Sequence, residues 1–541
     1  MRRLSEKTCR LLQQLHNDPS FWEKLTGLRG VRLSLFAEIA SEGEPLAIPH
    51  LTAFLVDGRE PVREAAAKTI GRLISIVKPT EFGQLDEACR DDWAYPATSS
   101  GWSTLKPREV KQFCHLPSSS AVIGVTSFHA SGFVRAAAVN ELARITDGSE
   151  LPFILVRLND WVEVVQESAA TAILQKMKPE YAPYFLKYFH LVSRLRSCKR
   201  NKLEILVGRV TTLLQEPGFA PTFREAILSG DRWLRRELFQ IAIAKTSEHG
   251  TGLLQEILKD EDPILRLLAA RNLIAHLEDR QLLPILLDLA RDRFVMIRQV
   301  VLNTLAQRFP DASHDVLHTA LLDGTASIRA TARYWIGRQG PLCDFADIYR
   351  RSLDDPLPKR QSAAILGLGE TGQVSDAKSL VTKLHAPALS IQKAAIRAIA
   401  TLDGDHHVEL FLTALTSLQA GVSNEAARAL AKRTNTISDL LLRVFDDPAP
   451  AHVRMNFFKL ILKQPFWSRG IFLFKALLDQ DDHIVEAARH SLQKWLAMSR
   501  NIGTPPSQKE VQQLSSTIKA SKSKLSADEY REVEFLLQSR Q

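Results

Sequence analysis

The sequence predicts an all-α protein, a right-handed α-solenoid of about 15 stacked antiparallel helix pairs. At the strongest positions an apolar residue followed by arginine recurs about every 31 residues, a period typical of stacked repeat proteins. Apolar residues follow these anchors at positions +4, +5 and +8, so they form one face of a helix. An aspartate lies five residues before many anchors, in the loop between the two helices. The anchors are Val31, Val62, Val134, Val165, Leu234, Leu265, Ile297, Ile328, Lys359, Ile391, Val422, Val453 and Ile484.

The unit around Val62 illustrates how each pair is built. Residues 46–56 are predicted to form its first helix, A, residues 57–61 the loop, and residues 62–77 its second helix, B. Proline suits the start of helix B because the N–H that it lacks has no partner there. Position +4 is often alanine, as at Ala66 and Ala138. Such small side chains let neighbouring helix axes approach to about 8–10 Å.

The loop aspartate and the anchor arginine together resemble the Asp/Arg signature of HEAT repeats, which form armadillo-like superhelices. The resemblance covers nearly the whole chain, and it implies that the two side chains bond between adjacent loops as a ladder. The arginines at position +1 are therefore expected to be structural, since guanidinium groups suit carboxylates and loop carbonyls. The loop aspartates are Asp57, Asp160, Asp260, Asp292, Asp323, Asp354 and Asp479.

The rhythm divides the chain into segments. Prolines and serine runs interrupt the middle of the first half, which favours an elaborated or degenerate repeat there. After the last anchor, Ser507 with Glu510 and Ser526 with Glu529 have capping-box spacing and predict two final helices. The predicted segments are N-terminal cap helices over 1–25, HEAT repeats over 26–84, an irregular insertion or degenerate repeat over 85–130, HEAT repeats over 131–180, a degenerate aromatic and basic repeat over 181–215, regular HEAT repeats over 216–500, and a C-terminal capping hairpin over 501–541.

Composition limits the classes of protein that fit. With 45% hydrophobic and 24% charged residues the chain reads as folded, and its formal net charge of +9 favours anionic partners. The five cysteines are scattered, without the close spacing of a zinc or redox site, which suits a reducing compartment. No apolar run approaches the ~18 residues of a membrane helix, and the N-terminus lacks a signal-peptide core. We expect a cytoplasmic protein with no membrane partner; the pattern does not indicate an oligomeric state.

Signals of enzymatic chemistry are weak. The sequence has no Gly-rich phosphate loop, no HExxH motif and no nucleophile elbow, so we expect no enzyme and no cofactor. His314 and His318 lie one helical turn apart, a spacing that a metal could use but that solvated surface histidines share. The HEAT-like alkylpurine DNA glycosylases resemble this chain in architecture, yet none of their catalytic residues can be placed on it.

One face of the B helices carries a charge bias. Position +6 points away from the buried face at about 100° per residue, and position +10 lies one turn further. In HEAT repeats that face lines the inner surface. Across the anchors these two positions hold many Lys and Arg residues and no Asp or Glu. The basic stripe that we predict consists of Lys68, Arg72, Arg144, Arg271, Arg338, Arg397, Arg428, Lys432, Lys459, Lys463, His490 and Lys494.

The stripe leaves three functional hypotheses and one alternative without function. The leading hypothesis is a non-catalytic scaffold that binds an acidic protein or peptide segment in a basic concave groove. The second is a nucleic-acid-binding protein that uses the same groove for phosphates. A glycosylase-like enzyme comes third, and a merely solvated face would explain the cations without any ligand.

A second candidate site is residues 181–202. Its aromatic residues, followed by arginines and lysines, could stack bases and neutralise phosphates. Aromatic residues at helical spacing more often fill a core, and we favour a core with a basic rim.

Overall fold

The computed structural model describes residues 4–16, 29–90, 101–198, 203–244, 251–340, 343–433, 449–499 and 502–538. Within these ranges every regular element is an α-helix or a short 3₁₀-helix. The chain forms two compact units, Met1–Ala269 and Ala270–Gln541. The predicted all-α solenoid of HEAT type is confirmed, because A and B helices alternate along each unit.

The first unit begins with a short cap helix and contains the more irregular repeats. Its α-helices are Glu6–His16, Arg29–Glu42, Ile48–Leu51, Glu60–Ser75, Phe82–Arg90, Ser119–Thr126, Gly132–Leu142, Leu151–Arg157, Glu163–Gln175, Ala182–Lys187, Phe189–Arg194, Glu204–Leu214, Ala220–Ser229, Arg232–Ala244 and Thr251–Ile257. Its 3₁₀-helices are Pro45–Ala47, Thr52–Val56, Pro79–Glu81, Pro107–His115, Pro179–Tyr181 and Leu195–Ser197. The helix Pro263–His276 contains the boundary between the units.

The second unit is more regular. Its α-helices are Asp279–Leu289, Val295–Arg308, Pro310–Ala320, Ala326–Gln339, Phe345–Arg351, Pro358–Thr371, Asp376–Leu380, Leu389–Asp403, Val408–Leu415, Ala420–Leu430, Ala451–Ile461, Phe466–Ala476, Asp482–Ser499, Gln508–Ser521 and Ala527–Gln538. Its 3₁₀-helices are Val381–His385 and Lys522–Lys524.

The anchor has a fixed structural place, the third residue of each B helix. Val62 lies third in Glu60–Ser75, and Ile328 lies third in Ala326–Gln339. Both are buried, and burial of such a side chain stabilises a fold by about 1.5–3 kcal/mol. The alanine at position +4 is fully buried as well, as Ala66 shows. The repeat of the sequence is therefore the repeat of a buried helix face.

One anchor was placed wrongly by a single residue. Lys359 is exposed and second in the helix Pro358–Thr371, whereas Arg360 is third. Counting six from Lys359 reaches Ile365, which is fully buried, while counting from Arg360 reaches the half-buried Leu366. Neither candidate anchor is apolar, so the sequence pattern alone did not fix the register here.

The predicted Asp/Arg ladder is present in both units. Arg135 donates from Nε and Nη2 to the Asp160 carboxylate at 2.9 and 2.7 Å. Arg298 donates in the same way to Asp323 at 2.9 and 3.0 Å, and a second Arg298 nitrogen, Nη1, donates to the carbonyl of Asp292 in its own loop at 2.8 Å. Each arginine thus clips its own loop to the next one. Two further rungs are Arg235–Asp260 and Arg454–Asp479.

The ladder departs from expectation at Arg329. This arginine pairs with Glu370 rather than Asp354, and Asp354 accepts a hydrogen bond from Lys383 at 2.6 Å. The loop carbonyl of Asp323 still accepts a bond from Arg329 Nη1 at 2.7 Å. Arg329 therefore still holds its own loop in place, although its acidic partner differs from the one expected.

Glutamine or serine replaces the arginine in some repeats. Gln392 Nε2 donates to the carbonyl of Ala386 at 2.7 Å, and Ser423 Oγ donates to that of Leu415 at 2.6 Å. These shorter side chains hold their own loop without a rung to the next loop's aspartate.

The described part of segment 85–130 packs into the first unit. Trp102 is buried beside Phe113, and its carbonyl oxygen lies 2.8 Å from His129 Nε2. Pro107 opens the 3₁₀-helix Pro107–His115 rather than merely breaking a helix. Residues 91–100, with Pro96, lie outside the described residues.

Two helices close the C-terminal end, as their capping residues predicted. Ser507 Oγ accepts from the Glu510 amide at 3.3 Å, and the Ser526 amide donates to Glu529 Oε2 at 2.9 Å. Leu514 and Val533 from this hairpin are buried in a cluster with Trp495. At the other end the helix Glu6–His16 buries leucines, while residues 1–3 and 17–28 of the predicted cap and first repeat lie outside the described residues.

Candidate binding groove

Every residue of the basic stripe is exposed on or beside a B helix. Three members belong to the first unit and nine to the second. The first-unit members are Lys68, Arg72 and Arg144. The second-unit members are Arg271, Arg338, Arg397, Arg428, Lys432, Lys459, Lys463, His490 and Lys494. Whether these residues bind a ligand remains a prediction.

In the second unit, part of the stripe lines an open groove of about 690 Å³, which we call the basic groove. Three successive B helices, Pro358–Thr371, Leu389–Asp403 and Ala420–Leu430, form its wall. Each helix contributes positions −1, +2, +3 and +6 relative to its third residue, which is one helical stripe. The groove therefore follows the repeat. Those twelve positions are Lys359, Ser362, Ala363, Leu366, Ser390, Lys393, Ala394, Arg397, Gly421, Asn424, Glu425 and Arg428.

The groove holds four cations and a fixed carboxylate on these helices. Arg397 donates from Nε and Nη2 to the two Glu425 oxygens, both at 2.8 Å, and Arg428 Nη1 adds a bond of 3.2 Å to Oε2. Hydrogen bonding to Glu425 raises the pKa of Arg397, although burial opposes this. Among the described residues neither Lys359 nor Lys393 has an ion-pair partner. These two lysines are the cations that remain available.

Sequence reasoning missed these two lysines and the acid. It counted only positions +6 and +10, so it excluded Lys393 at +2 and took Lys359 as an anchor. It also found no acid at those two positions, whereas Glu425 at +3 forms ion pairs with two of the stripe's arginines. A search at positions −1, +2, +3 and +6 from the third residue of each B helix would have found Lys359, Lys393 and Glu425. Gly421 leaves room for the Lys393 side chain, which lies 3.5 Å from where a Cβ at position 421 would stand.

The cations at position +10 have a structural explanation that needs no ligand. Arg72 and Arg338 lie in the last turn of their helices, and Lys432 and Lys463 lie just past the ends of theirs. Cations at a helix C-terminus interact favourably with the helix dipole, by about 0.3–1 kcal/mol. Part of the basic bias therefore follows from helix ends rather than from a ligand.

Neighbouring acids hold two stripe residues of the first unit. Lys68 Nζ lies 3.3 Å from Glu64 Oε2, and Arg144 Nη1 lies 2.7 Å from Glu141 Oε2. In the second unit, Lys459, Lys463 and Lys494 are exposed and have no ion pair with any described residue. The available positive charge is therefore greater in the second unit.

Two B helices of the first unit carry exposed apolar residues at position −1. Phe133 and Val164 occupy position −1 of successive B helices and are 78% and 57% exposed. Trp161 in the adjoining loop is 64% exposed and lies against Arg135, with the guanidinium 5.5 Å from the ring centroid. The two units thus present different chemistry from the same helix positions.

The aromatic and basic segment 181–202 is mainly core. Tyr181, Phe185, Tyr188 and Phe189 are buried, which supports the core interpretation over base stacking. Tyr181 donates its hydroxyl proton to a buried Glu150 oxygen at 2.8 Å. The basic residues at positions 199, 200 and 202 lie outside the described residues.

The candidate metal histidines lie on an exposed helix. The His314 and His318 rings are 4.5 Å apart between centroids. Burial and the nearby His314 lower the pKa of His318. Within the described ranges no group of three or more His, Cys, Asp or Glu side chains is placed to hold a metal ion. The helices described are all too short or too polar to cross a membrane.

Neither a protein-family model nor a curated protein matches the chain. Among solved structures, importin beta is 11% identical with a TM-score of 0.32, over 98% of this chain and 80% of importin beta. Kap121p is 11% identical with a TM-score of 0.34 over 95% of this chain, which spans only 64% of Kap121p. Kap121p bound to Ste12p is 13% identical with a TM-score of 0.32, over 96% and 57% of the two chains. Likeness at these TM-scores supports no inference about function.

Proposed function

We propose that this protein is a non-catalytic HEAT-repeat scaffold, cytoplasmic, that binds an acidic and extended protein segment in the basic groove of its second unit. The observation that carries the proposal is the row of cations on three successive B helices, of which Lys359 and Lys393 have no carboxylate partner among the described residues. Cations outnumber carboxylates along this groove, four to two, and such an excess attracts ligands of the opposite sign.

The mixed chemistry of the groove favours a peptide over a nucleic acid. Leu322 and Leu366 are half-buried in it and offer apolar contacts, and Glu425 lies among the cations. A phosphate backbone carries its negative charge at regular short intervals and would place some of it against Glu425. A peptide can place an uncharged or apolar side chain there and its carboxylates beside the lysines. Nucleic acid is the alternative, supported by the same excess of positive charge.

Charge reversal at the two available lysines tests the groove. The double variant Lys359→Glu with Lys393→Glu is expected to raise the dissociation constant of an acidic peptide probe at least about tenfold. It leaves the Arg397–Glu425 pair intact, so thermal stability should stay near that of the wild type. The control, Lys378→Glu with Lys519→Glu, makes the same change of charge at exposed positions outside the groove. Equal binding by both double variants would exclude the groove.

A second pair of probes separates the two ligand classes. An acidic peptide containing leucines and a single-stranded oligonucleotide of equal charge are titrated by fluorescence anisotropy at several salt concentrations. Tighter peptide binding supports the proposal. Tighter oligonucleotide binding with a steep linear fall of log affinity against log salt supports the alternative.

A further inference from the structure

The first unit buries a network of charges where the ladder meets an A helix. Asp160 accepts from Arg135, and from Arg157 Nη1 at 2.7 Å. Arg157 Nη2 and Arg90 Nη2 both donate to the Oδ2 atom of Asp86. Burial raises the pKa of Asp86, although the guanidinium groups of Arg157 and Arg90 oppose the shift. Three guanidinium groups therefore share two carboxylates, leaving one positive charge in excess.

Two atoms of this network have no hydrogen-bond partner among the described residues. One is Asp86 Oδ1, an acceptor, and the other is Arg157 Nε, a donor. The Arg157 side chain is 1% exposed and that of Asp86 is 6% exposed. A buried polar atom without a partner costs about 1–3 kcal/mol, so the fold retains both at a substantial cost unless something binds them.

A cavity of about 180 Å³ lies beside these two side chains. Arg194 and Glu87, both exposed, stand among its lining residues with opposite charges. The Arg194 guanidinium lies directly on the Gly83 backbone, where its Nη1 atom occupies the place that a Cβ would need. Among the described residues Arg194 has no ion-pair partner. Gly83 is thus the residue that lets this cation reach the cavity.

We propose that this cavity binds a phosphate group that carries an O–H, such as hydrogen phosphate. Its oxygens would accept hydrogen bonds from Arg157 Nε and Arg194, and its O–H would donate to Asp86 Oδ1. The excess positive charge of the network, together with that of Arg194, offsets the two negative charges of hydrogen phosphate. Both unpartnered atoms then have partners, which a ligand with acceptors alone would not achieve.

The carboxylate gives the site a means of selecting its anion. Sulfate at neutral pH has no proton to donate, so it would leave Asp86 Oδ1 without a partner and bring two negative oxygens together. Hydrogen phosphate avoids that repulsion. The expected order of affinity is therefore phosphate above sulfate, by about tenfold or more, since a site that leaves a buried group unpaired loses at least that factor.

Isothermal titration calorimetry on the full chain with inorganic phosphate tests the proposal directly. Gly83→Ala, which pushes the Arg194 guanidinium outwards, and Arg194→Gln, which removes its charge, should each raise the phosphate dissociation constant about tenfold. The control is Gly208→Ala, because an added Cβ meets no atom within 4 Å there. Phosphoserine is titrated in parallel, because its phosphate has a second pKa of about 6 and has mostly lost its O–H at neutral pH, so it should bind as weakly as sulfate. Phosphoserine binding as tight as that of inorganic phosphate would contradict the hydrogen bond to Asp86.

Cys198 provides a readout inside the cavity. It is partly exposed and lines the cavity, so bound phosphate should slow its alkylation by iodoacetamide severalfold, as followed by peptide mass spectrometry. Cys9 and Cys114 are exposed elsewhere and serve as internal references. Absence of phosphate binding by the wild type would show that water alone occupies the cavity. Equal phosphate binding by wild type, Gly83→Ala and Arg194→Gln would place the anion elsewhere, and either result overturns the proposal.

Discussion

The rung between Arg135 and Asp160 and the rung between Arg298 and Asp323 have the same geometry in different surroundings. In the first unit both side chains are completely buried and join a network with Arg157. In the second unit both are partly exposed and form a separate clip between two loops. The same repeated pair of residues therefore belongs to a buried charge network at one place and forms a partly exposed loop contact at another. Motif identity alone does not set the energetic role of a ladder arginine; its burial does.

The largest expected effect is the loss of the buried rung. Arg135→Ala should lower the free energy of unfolding by about 3–5 kcal/mol, because it leaves a buried carboxylate short of a partner. Urea titration followed by tryptophan fluorescence measures the change. Asp160→Asn is the companion variant and should cost a similar amount, since it leaves two guanidinium groups facing a neutral amide. A loss below about 1 kcal/mol for Arg135→Ala, typical of exposed pairs, would contradict the comparison.

Acid should affect another carboxylate of the first unit, Asp262. Hydrogen bonds from Arg236, both 2.7 Å, outweigh burial and hold the pKa of Asp262 at about 2, below its usual value. A depressed carboxylate stabilises the fold above its unfolded pKa, and that stability is lost as pH falls through the folded pKa. Between about pH 4 and pH 2 the free energy of unfolding should therefore fall by about 2 kcal/mol from this group. Asp262→Asn should remove this part of the acid response, whereas the exposed Asp311→Asn should keep it.

The partly exposed rung between Arg298 and Asp323 should contribute less to stability. Arg298→Ala is expected to lower the free energy of unfolding by about 1–2 kcal/mol, because water can reach the Asp323 carboxylate that it abandons. Thermal denaturation of this variant beside Arg135→Ala gives the comparison within one experiment. Equal losses in the two variants would show that burial does not separate the rungs.

The sequence predicted the repeat well because the repeat is local. Position +4 alanines, loop aspartates and capping serines act within one or two turns, so their spacing is visible along the chain. The partner of Arg329 could not be predicted in this way, since Glu370 lies 41 residues further on and competes with an equally plausible aspartate. The unpartnered Asp86 belongs to an A helix outside the ladder pattern, and only packing brings it beside Arg157.

The candidate groove was predicted in outline and not in detail. Counting along the B helices found Arg397 and Arg428, yet Glu425, which fixes both, was overlooked because the count took no account of position +3. Lys359 was misassigned because a lysine can stand where an anchor is expected. Side-chain pairing across helices decides which cations stay available, and that information is not periodic.

The smallest expected effect is that of removing the Glu425 charge in the second unit. The Glu425 carboxylate accepts hydrogen bonds from Arg397 and Arg428. A ligand's carboxylate would compete for the same two guanidinium groups. Glu425→Gln keeps the shape of the side chain and removes its charge, so the acidic peptide probe should bind roughly threefold to tenfold more tightly, a gain of about 1 kcal/mol. Stability should fall by less than about 1 kcal/mol, because both arginines are largely solvent-exposed.

Anisotropy titrations compare this variant with Glu409→Gln, which removes an exposed acid from an A helix of the same unit. Tighter binding by Glu425→Gln alone would mean that Glu425 competes with the ligand for Arg397 and Arg428. Unchanged or weaker binding would mean that Arg397 and Arg428 are structural, as the ladder arginines are, and that the lysines alone contact the ligand.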